Sequence, residues 1–361
     1  MTEYNPKINN QNIFLQNSII KASIFKLIRE FFDQKGFLEF DSPNMVLSPD
    51  PSPFNEVFET KSISGDRIFL TPSPEFFLKK AIAGGLRNIY QLTKACRDNQ
   101  EKDPVHLKEF TILEWYRDGA TYLDLMHDCE NIVNYVFDNL SKIQNSKFKI
   151  QNCHRRLAGS RTMRDSSKFN IIEYNNIKVN LSSPWQRISC KEAFEKYANV
   201  NLDEFMEIEN ARKTCVNKGY QVNTSDTWEE LYHQIFLNEV EPKLPKDQPL
   251  ILYDYPAPLA ALSKIKKDNP LYVERFEFYI GGLELGNGYS ELTDKDEQIK
   301  RLENDLKIRK EKGMKTFEYD KEFVNAVGEM PKTAGIAVGI DRLIMLFTNS
   351  PDIHEVSPFS L

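Results

Sequence analysis

Long apolar runs are missing from this chain. No stretch approaches the roughly 18 consecutive apolar residues of a membrane-crossing helix, and the opening "MTEYNPKINNQN" has neither the basic nor the apolar region of a secretory signal. A cytoplasmic location without membrane contact is therefore expected. Cysteine is sparse: Cys96, Cys129, Cys153, Cys190 and Cys215 are odd in number and widely spaced, which suits neither a disulfide framework nor a zinc-ligand cluster. The five histidines are equally scattered, which argues against metal-histidine catalysis. Positive charge is not in excess either, and a net charge of -6 offers polyphosphate no general attraction. No internal repeat is visible.

What is present is a chain of 361 residues, 40% apolar and 28% charged, enough to bury one large core or a domain with an insertion. Apolar residues at helical spacing predict a helix over residues 11–35, stopped by Gly36. "FLEFDSPNM" predicts a strand ending near Pro43, "SPDPSPFNE" a loop, and "RIFLTPS" a strand leading into a helix from Pro74 to Ala83. "IYQLTKACRDN" and "EFTILEWYRD" predict two strands joined by "QEKDPVHLK", followed by a helix over 122–140. Residues 142–168 hold eight Lys or Arg against the single acid Asp165, a mobile surface segment or a docking patch for a polyanion. Residues 186–247 read as mainly helical, "QPLILYDYPAPLAAL" as renewed strand, 294–313 as a charged helix, and "KTAGIAVGIDRLIMLF" as a glycine-bearing strand opening a helix at Asp341.

The stretch "FEFYIGGLELGNGYSELTD" sets three glutamates among aromatics and glycines. Gly281-Gly282 between alternating runs predicts a two-residue hairpin turn. Pairing Ile280 with Leu283 then puts Tyr279 opposite Glu284, with Glu277 diagonal to Glu284 at roughly 7 to 8 Å, a spacing that lets two carboxylates share a divalent cation. Asn287, Tyr289 and Glu291 alternate onto one face, opposite to Glu284 unless a glycine-marked bulge intervenes. The plainer reading is an edge hairpin with solvated acids.

Three segments in order resemble the signature motifs of class II aminoacyl-tRNA synthetases: the first helix with "GFLEFDSP", then "CRDNQEKDPVHLKEFTILEWY", then "AGIAVGIDRLIMLF". With "TPSPE" before the second and "ELGNGYSEL" before the third, the match is specifically similar to lysyl-tRNA synthetases over roughly residues 15–135 and 185–361. Only about a dozen residues precede the first helix, so the anticodon-reading domain of a synthetase is expected to be missing. That feature, "EFTILEWYR", and Ala337 where the synthetases have glycine resemble the elongation factor P lysine ligases, the lysyl-tRNA synthetase-related proteins.

This resemblance implies an α+β class II fold over 1–361: an antiparallel six- or seven-stranded sheet flanked by helices, a helical insertion at 186–247, and a homodimer built around Pro43 and the first helix. It implies a ligase that uses ATP and Mg²⁺ to activate lysine or (R)-β-lysine and transfers it to a lysine of elongation factor P, with tRNA not expected as acceptor. By the same resemblance Glu291 and Glu114 would meet the far amine of lysine, and Tyr116 and Tyr289 its stem. Ser73, Pro74 and Glu75 would meet the other amine, and Asn287 the carboxylate region; Ala337 would shape the backbone end. Arg97 would contact the α-phosphate and substrate carboxylate and Arg342 the terminal phosphates, these two being the catalytic pair. His106 would lie near the phosphates, Phe110 under adenine, Leu285 and Gly339 against the nucleotide, and Glu277 with Glu284 on the metal.

The second motif departs from the family pattern. Arg97-Asp98-Asn99 replaces Arg-Asn-Glu, so Asp98, Asn99 or Glu101 would have to read the adenine amine, and Leu107 replaces an asparagine. Three alternatives stand: a truncated synthetase-like enzyme charging tRNA or a small molecule, an inactive regulatory paralogue, and tRNA binding by the basic segment.

Overall fold

The computed structural model describes residues 11–98, 103–146 and 170–359. Asn99, Glu101 and nearly all of the basic segment lie outside the described residues. Helix α1 spans Gln11–Gln34, and its apolar stripe Ile20, Ile24, Leu27, Ile28, Phe31 and Phe32 is buried as the spacing predicts. Burying each of these large side chains is worth roughly 1.5–3 kcal/mol. Strands β1 (Leu38–Glu39), β2 (Met45–Val46), β3 (Glu59–Lys61) and β4 (Arg67–Leu70) precede α2 (Glu75–Ala83); then come β5 (Asn88–Cys96), β6 (Glu109–Asp118) and α3 (Tyr122–Ser146). After β7 (Ile171–Tyr174), β8 (Ile177–Asn180) and β9 (Gln186–Ser189), the chain forms short helices α4 (Cys190–Ala193), α5 (Leu202–Phe205), α6 (Ile208–Asn217) and α7 (Trp228–Ile235). Strands β10 (Leu250–Pro256), β11 (Tyr272–Ile280) and β12 (Leu283–Ser290), helices α8 (Lys295–Glu311) and α9 (Lys321–Glu329), β13 (Thr333–Gly339) and α10 (Ile340–Thr348) complete the order.

One sheet organises the molecule, in the order β1-β5-β6-β13-β12-β11-β10-β9. Its six central strands are antiparallel, as expected; β1 on β5 and β9 on β10 add a parallel strand at each edge and raise the total to eight. The strand expected in "FLEFDSPNM" is β1, shortened to two residues, whereas β9 was hidden because it opens the helical insertion. One face of the sheet carries the main core, with Leu113 and Trp115 of β6 packed among residues of α1, α3 and α10. Phe32 stacks on Tyr90 at 4.4 Å and tilts against Trp115 at 5.4 Å.

The insertion packs a second cluster, including Phe194, Phe205, Trp228, Tyr232 and Phe236, on β9, β10 and β11. Two of its helices, α4 and α7, start where the sequence supplies reciprocal caps, Ser189 with Glu192 and Thr227 with Glu230. A third cluster joins α2 to α9 through the stacked pair Phe76 and Phe323, 3.7 Å apart. Among the described residues no helix is long and apolar enough to cross a membrane.

Candidate active site

The β11–β12 hairpin turns at Gly281 and Gly282, with φ of +64° and +85°, the backbone region open chiefly to glycine. Ile280 pairs with Leu283 and Tyr279 with Glu284, as expected. The register then slips: Phe278 pairs with Gly286 and Glu277 with Asn287, leaving Leu285 as an extra residue. This bulge reverses the alternation, so Glu284, Asn287 and Tyr289 all line one cavity, and Leu285, also at its wall, is itself buried. The acids are therefore not a solvated edge.

The cavity, of about 830 Å³, lies over the sheet face opposite the main core. Strand β6 contributes Phe110, Ile112, Glu114 and Tyr116 to its wall, and β13 contributes Gly335, Ala337 and Gly339. Ala337 pairs with Glu114 on one side and Asn287 on the other, which puts its methyl between two candidate polar contacts. Gly335 has a steric reason: a Cβ there would overlap the Tyr116 ring and a Glu291 carboxylate oxygen.

Three carboxylates gather at one end. Glu114 accepts hydrogen bonds from Ser73 Oγ at 2.5 Å and Tyr116 Oη at 3.2 Å. Glu75 accepts from the Tyr289 hydroxyl and pairs with Lys79 Nζ at 2.6 Å. Lys79 also pairs with Glu291 at 2.6 Å, with both side chains fully buried. Glu291 thus sits behind the cavity lining, with Lys79 as its polar contact, and is not open to it as the sequence suggested. Burial, with Glu75 adding repulsion, pushes Glu114 up to about 8. Burial likewise pushes Glu291 up to about 8, although Lys79 opposes the shift. Lys79 itself is held above its usual range: burial pulls it down, and the Glu291 and Glu75 charges outweigh that. A region this rich in buried carboxyl groups favours a cationic ligand.

The other end is arranged for anions. Arg97 is half-buried, with its buried Nε lacking a hydrogen-bond partner among the described residues. Its guanidinium stacks 5.0 Å over the Phe110 ring, the ring expected under adenine. Arg342 is fixed by Val105 O at 3.1 Å, Glu284 O at 2.9 Å and His106 Nε2 at 2.5 Å, and Asp103 holds the other imidazole nitrogen at 2.5 Å. At Gly339 a Cβ would make only ordinary contacts.

Glu277 and Glu284 differ. Glu277 accepts from Arg275 at 2.8 Å, Tyr255 at 2.5 Å and Tyr279 at 2.7 Å. Three of its roughly four lone-pair positions are thereby used. The Glu284 carboxylate makes no hydrogen bond among the described residues, and burial, then the Glu277 charge, pushes it up to about 7. One free carboxylate beside one nearly saturated carboxylate suits Mg²⁺, which takes one or two carboxylates and completes its shell with phosphate and water.

Some expectations need correcting. Asp98 is not in the cavity wall: Lys108 at 2.9 Å and Lys315 at 3.5 Å hold it, and its backbone N–H donates to Glu56 O. Leu107 is a buried core residue, so its apolar character has a packing reason. Pro74 caps the start of α2 while Ser73 and Glu75 beside it face the cavity. Sequence reasoning missed Lys79 and Arg275, although the Glu75–Lys79 spacing of four on a helix was a signal for the first. Arg275 holds Asn287 Oδ1 at 3.1 Å as well as Glu277, so it orients both.

Comparison with known proteins agrees with this architecture. Residues 8–361 match the family of class II tRNA synthetases (D, K and N). A lysine–tRNA ligase of Moorella thermoacetica is 30% identical over 342 residues, covering 94% of this chain and 64% of that protein. One of Buchnera aphidicola subsp. Cinara cedri is 32% identical over 362 residues, covering 97% and 65%, and one of Coxiella burnetii is 28% identical over 345, covering 94% and 63%. The chain thus spans less than two thirds of the length of these relatives. With the antiparallel sheet, the bulged glutamate hairpin and paired Arg97 and Arg342 in place, the chain belongs to the class II tRNA synthetase family of the D, K and N type.

Proposed function

We propose that the protein is a ligase that activates lysine or (R)-β-lysine with ATP and transfers it to the ε-amino group of a lysine on elongation factor P. The observation that carries this reading is the division of one cavity into a carboxylate end, lined by Glu75 and Glu114 with Glu291 behind them, and a guanidinium end, Arg97 and Arg342. Lysine presents two ammonium groups to the first, its stem to Tyr116 and Tyr289, and its carboxylate toward Arg97. Asn287 and Ala337 border the backbone end of the ligand.

In-line attack of the carboxylate on the α-phosphate forms the aminoacyl adenylate and releases pyrophosphate. The protein's part is positioning and charge neutralisation. Arg97 holds the substrate carboxylate against the α-phosphate; Arg342, braced by His106 and two backbone carbonyls, meets the terminal phosphates. Magnesium held at Glu284 with help from Glu277 would neutralise phosphate charge. A neutral amine then attacks the carbonyl carbon of the adenylate, AMP leaves, and the amine gives up its proton.

The choice of acceptor rests on resemblance. Of its two marks within the fold, Trp115 is buried on the core side of the sheet, away from the cavity, so specificity is argued from Ala337. Exposed Leu38, Met45 and Leu47 around Pro43 support the homodimer surface. A second reading, charging of tRNA, is favoured by the lysine–tRNA ligases among its relatives. Incubation with ATP, Mg²⁺ and labelled lysine or β-lysine, with elongation factor P and bulk tRNA offered in parallel, separates the two. Label on the factor, lost in Glu291→Ala, is the expected result. Label on tRNA alone replaces the first reading with the second, and absence of both label and pyrophosphate exchange refutes lysine activation.

A further inference from the structure

The buried lysine of α2 has no place in the reading above. Lys79 lies one turn after Glu75, is 1% exposed, and sends its ammonium to Glu75 Oε1 and Glu291 Oε2, each at 2.6 Å. The rings of Tyr289 and Phe323 lie 5.4 and 5.9 Å from the same nitrogen. The stem runs into the apolar cluster between α2 and α9, so it cannot swing out to solvent without unpacking that cluster. The charge is fixed in place.

Its effect on the two carboxylates is directional. Glu75 Oε1 is shared by Lys79 and the Tyr289 hydroxyl, leaving Oε2 for another donor. With Glu291 Oε2 taken, Oε1 lies toward Gly335, at the spot a side chain there would fill. Gly335 lines the cavity. Glu75 thus keeps one oxygen for the internal cation and one for a ligand, while Glu291 Oε1, buried behind the wall at Gly335, acts on a ligand through its charge.

The charges then balance. Glu75, Glu114 and Glu291 carry minus three when ionised, and Lys79 brings the set to minus two. A free diamino acid brings two ammonium groups to that set and one carboxylate to Arg97. We infer that Lys79 is a positioning residue for substrate selection: by holding one oxygen of Glu75 and one of Glu291, it sets the pocket to accept two ammonium groups at a fixed separation. This inference rests on the lysine-activating reading and deepens it. Lys79 does not touch the reacting atoms; it acts through the two acids.

Pyrophosphate exchange and direct lysine binding, measured across pH on wild type, Lys79→Met and Lys79→Arg, form the test. The groups that face Lys79 are Glu75 on its own helix, and Glu291 and Tyr289 from the strand and turn opposite, with Asp50 of the loop before β3 and Glu114 and Tyr116 of β6 beyond them. In Lys79→Met, KM for lysine is expected to rise roughly 30-fold or more, as for truncation of one member of a buried charge pair, with KM for ATP within about twofold because Arg97 and Arg342 are untouched. Lysine binding should also set in at a pH about one unit or more higher, since Glu291 loses the cation that opposes its protonation. Lys79→Arg keeps the charge and should restore the wild-type pH profile.

Unchanged KM and pH profile in Lys79→Met, with an active wild type, overturns the inference and leaves the lysine reading intact. Equal losses in both variants overturn it as well, because charge would then be irrelevant. If Lys79→Met does not fold, Lys79→Arg decides alone: a profile displaced to higher pH refutes the role assigned to the charge. A wild type that neither binds lysine nor exchanges pyrophosphate sinks the functional reading and this inference with it.

Discussion

Replacing Asp341 with asparagine should destabilise the protein in a way that depends on pH. Asp341 is the second residue of α10 and is 2% exposed. It accepts Lys21 Nζ of α1 at 2.8 Å, Ser357 Oγ at 2.7 Å and the Thr111 N–H of β6 at 2.6 Å. One carboxylate thereby ties the first helix, the sheet and the C-terminal segment. Removing one partner of a buried, hydrogen-bonded ion pair costs about 3–5 kcal/mol.

At roughly 2.1 cal/mol/K of unfolding entropy per residue, the 361 residues lose about 1.3 °C of Tm for each kcal/mol, so the expected drop is about 4 to 7 °C at neutral pH. Burial acts to raise the Asp341 pKa, but Lys21, Thr111 and Ser357 together hold it below the usual carboxylate range. A depressed carboxyl stabilises the fold fully above its unfolded pKa of about 3.9 and loses that contribution as pH falls through the lower native value. The Tm gap between wild type and Asp341→Asn should therefore be constant from neutral pH down to about pH 5 and narrow below it. Calorimetry across pH 3–8 measures both; equal Tm values at pH 7, or a gap that widens on acidification, would refute the argument.

Gly335→Ala should raise KM for lysine roughly 5- to 150-fold, the equivalent of the 1–3 kcal/mol typical of overpacking, while KM for ATP stays within about twofold; unchanged KM for lysine would show that Tyr116 and Glu291 yield freely. Glu284→Gln should raise the Mg²⁺ concentration for half-maximal exchange by roughly tenfold or more, because it removes a negative ligand from a site with only one other carboxylate; equal half-saturation would move the metal elsewhere. Ala337→Gly should shift the ratio of activation efficiencies toward α-lysine over β-lysine. An unmoved ratio would free Ala337 of any part in that choice.

The sequence displayed the elements wherever a local rule was strong. The stripe of α1, the helix over 75–83 and the Gly281-Gly282 turn all depend on neighbours within a few residues, so periodicity and turn chemistry reached them. The site was legible as a set of residues and less so as a set of contacts. Lys79 escaped because its second partner, Glu291, arrives from a distant segment, and no local pattern reports a pairing made by the sheet. Asp98 was offered to adenine by its position after Arg97, yet Lys108 and Lys315 claim it, the second from beyond α8. The bulge was foreseen only as a condition, since glycine marks where a strand can slip without fixing which residue is left over.

That leftover residue gives the hairpin a parity. Upstream of Leu285 the even-numbered Glu284 faces the cavity; downstream the odd-numbered Asn287 and Tyr289 do. Their neighbours Gly286 and Gly288 lie hard against Phe278, Phe276 and Ile336. Loss or gain of one residue here would exchange the two sets and push an amide and a phenol toward space that barely admits a hydrogen atom. The segment should therefore tolerate changes of letter and resist changes of length, and relatives with a different spacing between the residues matching Glu284 and Asn287 should have lost the cavity altogether.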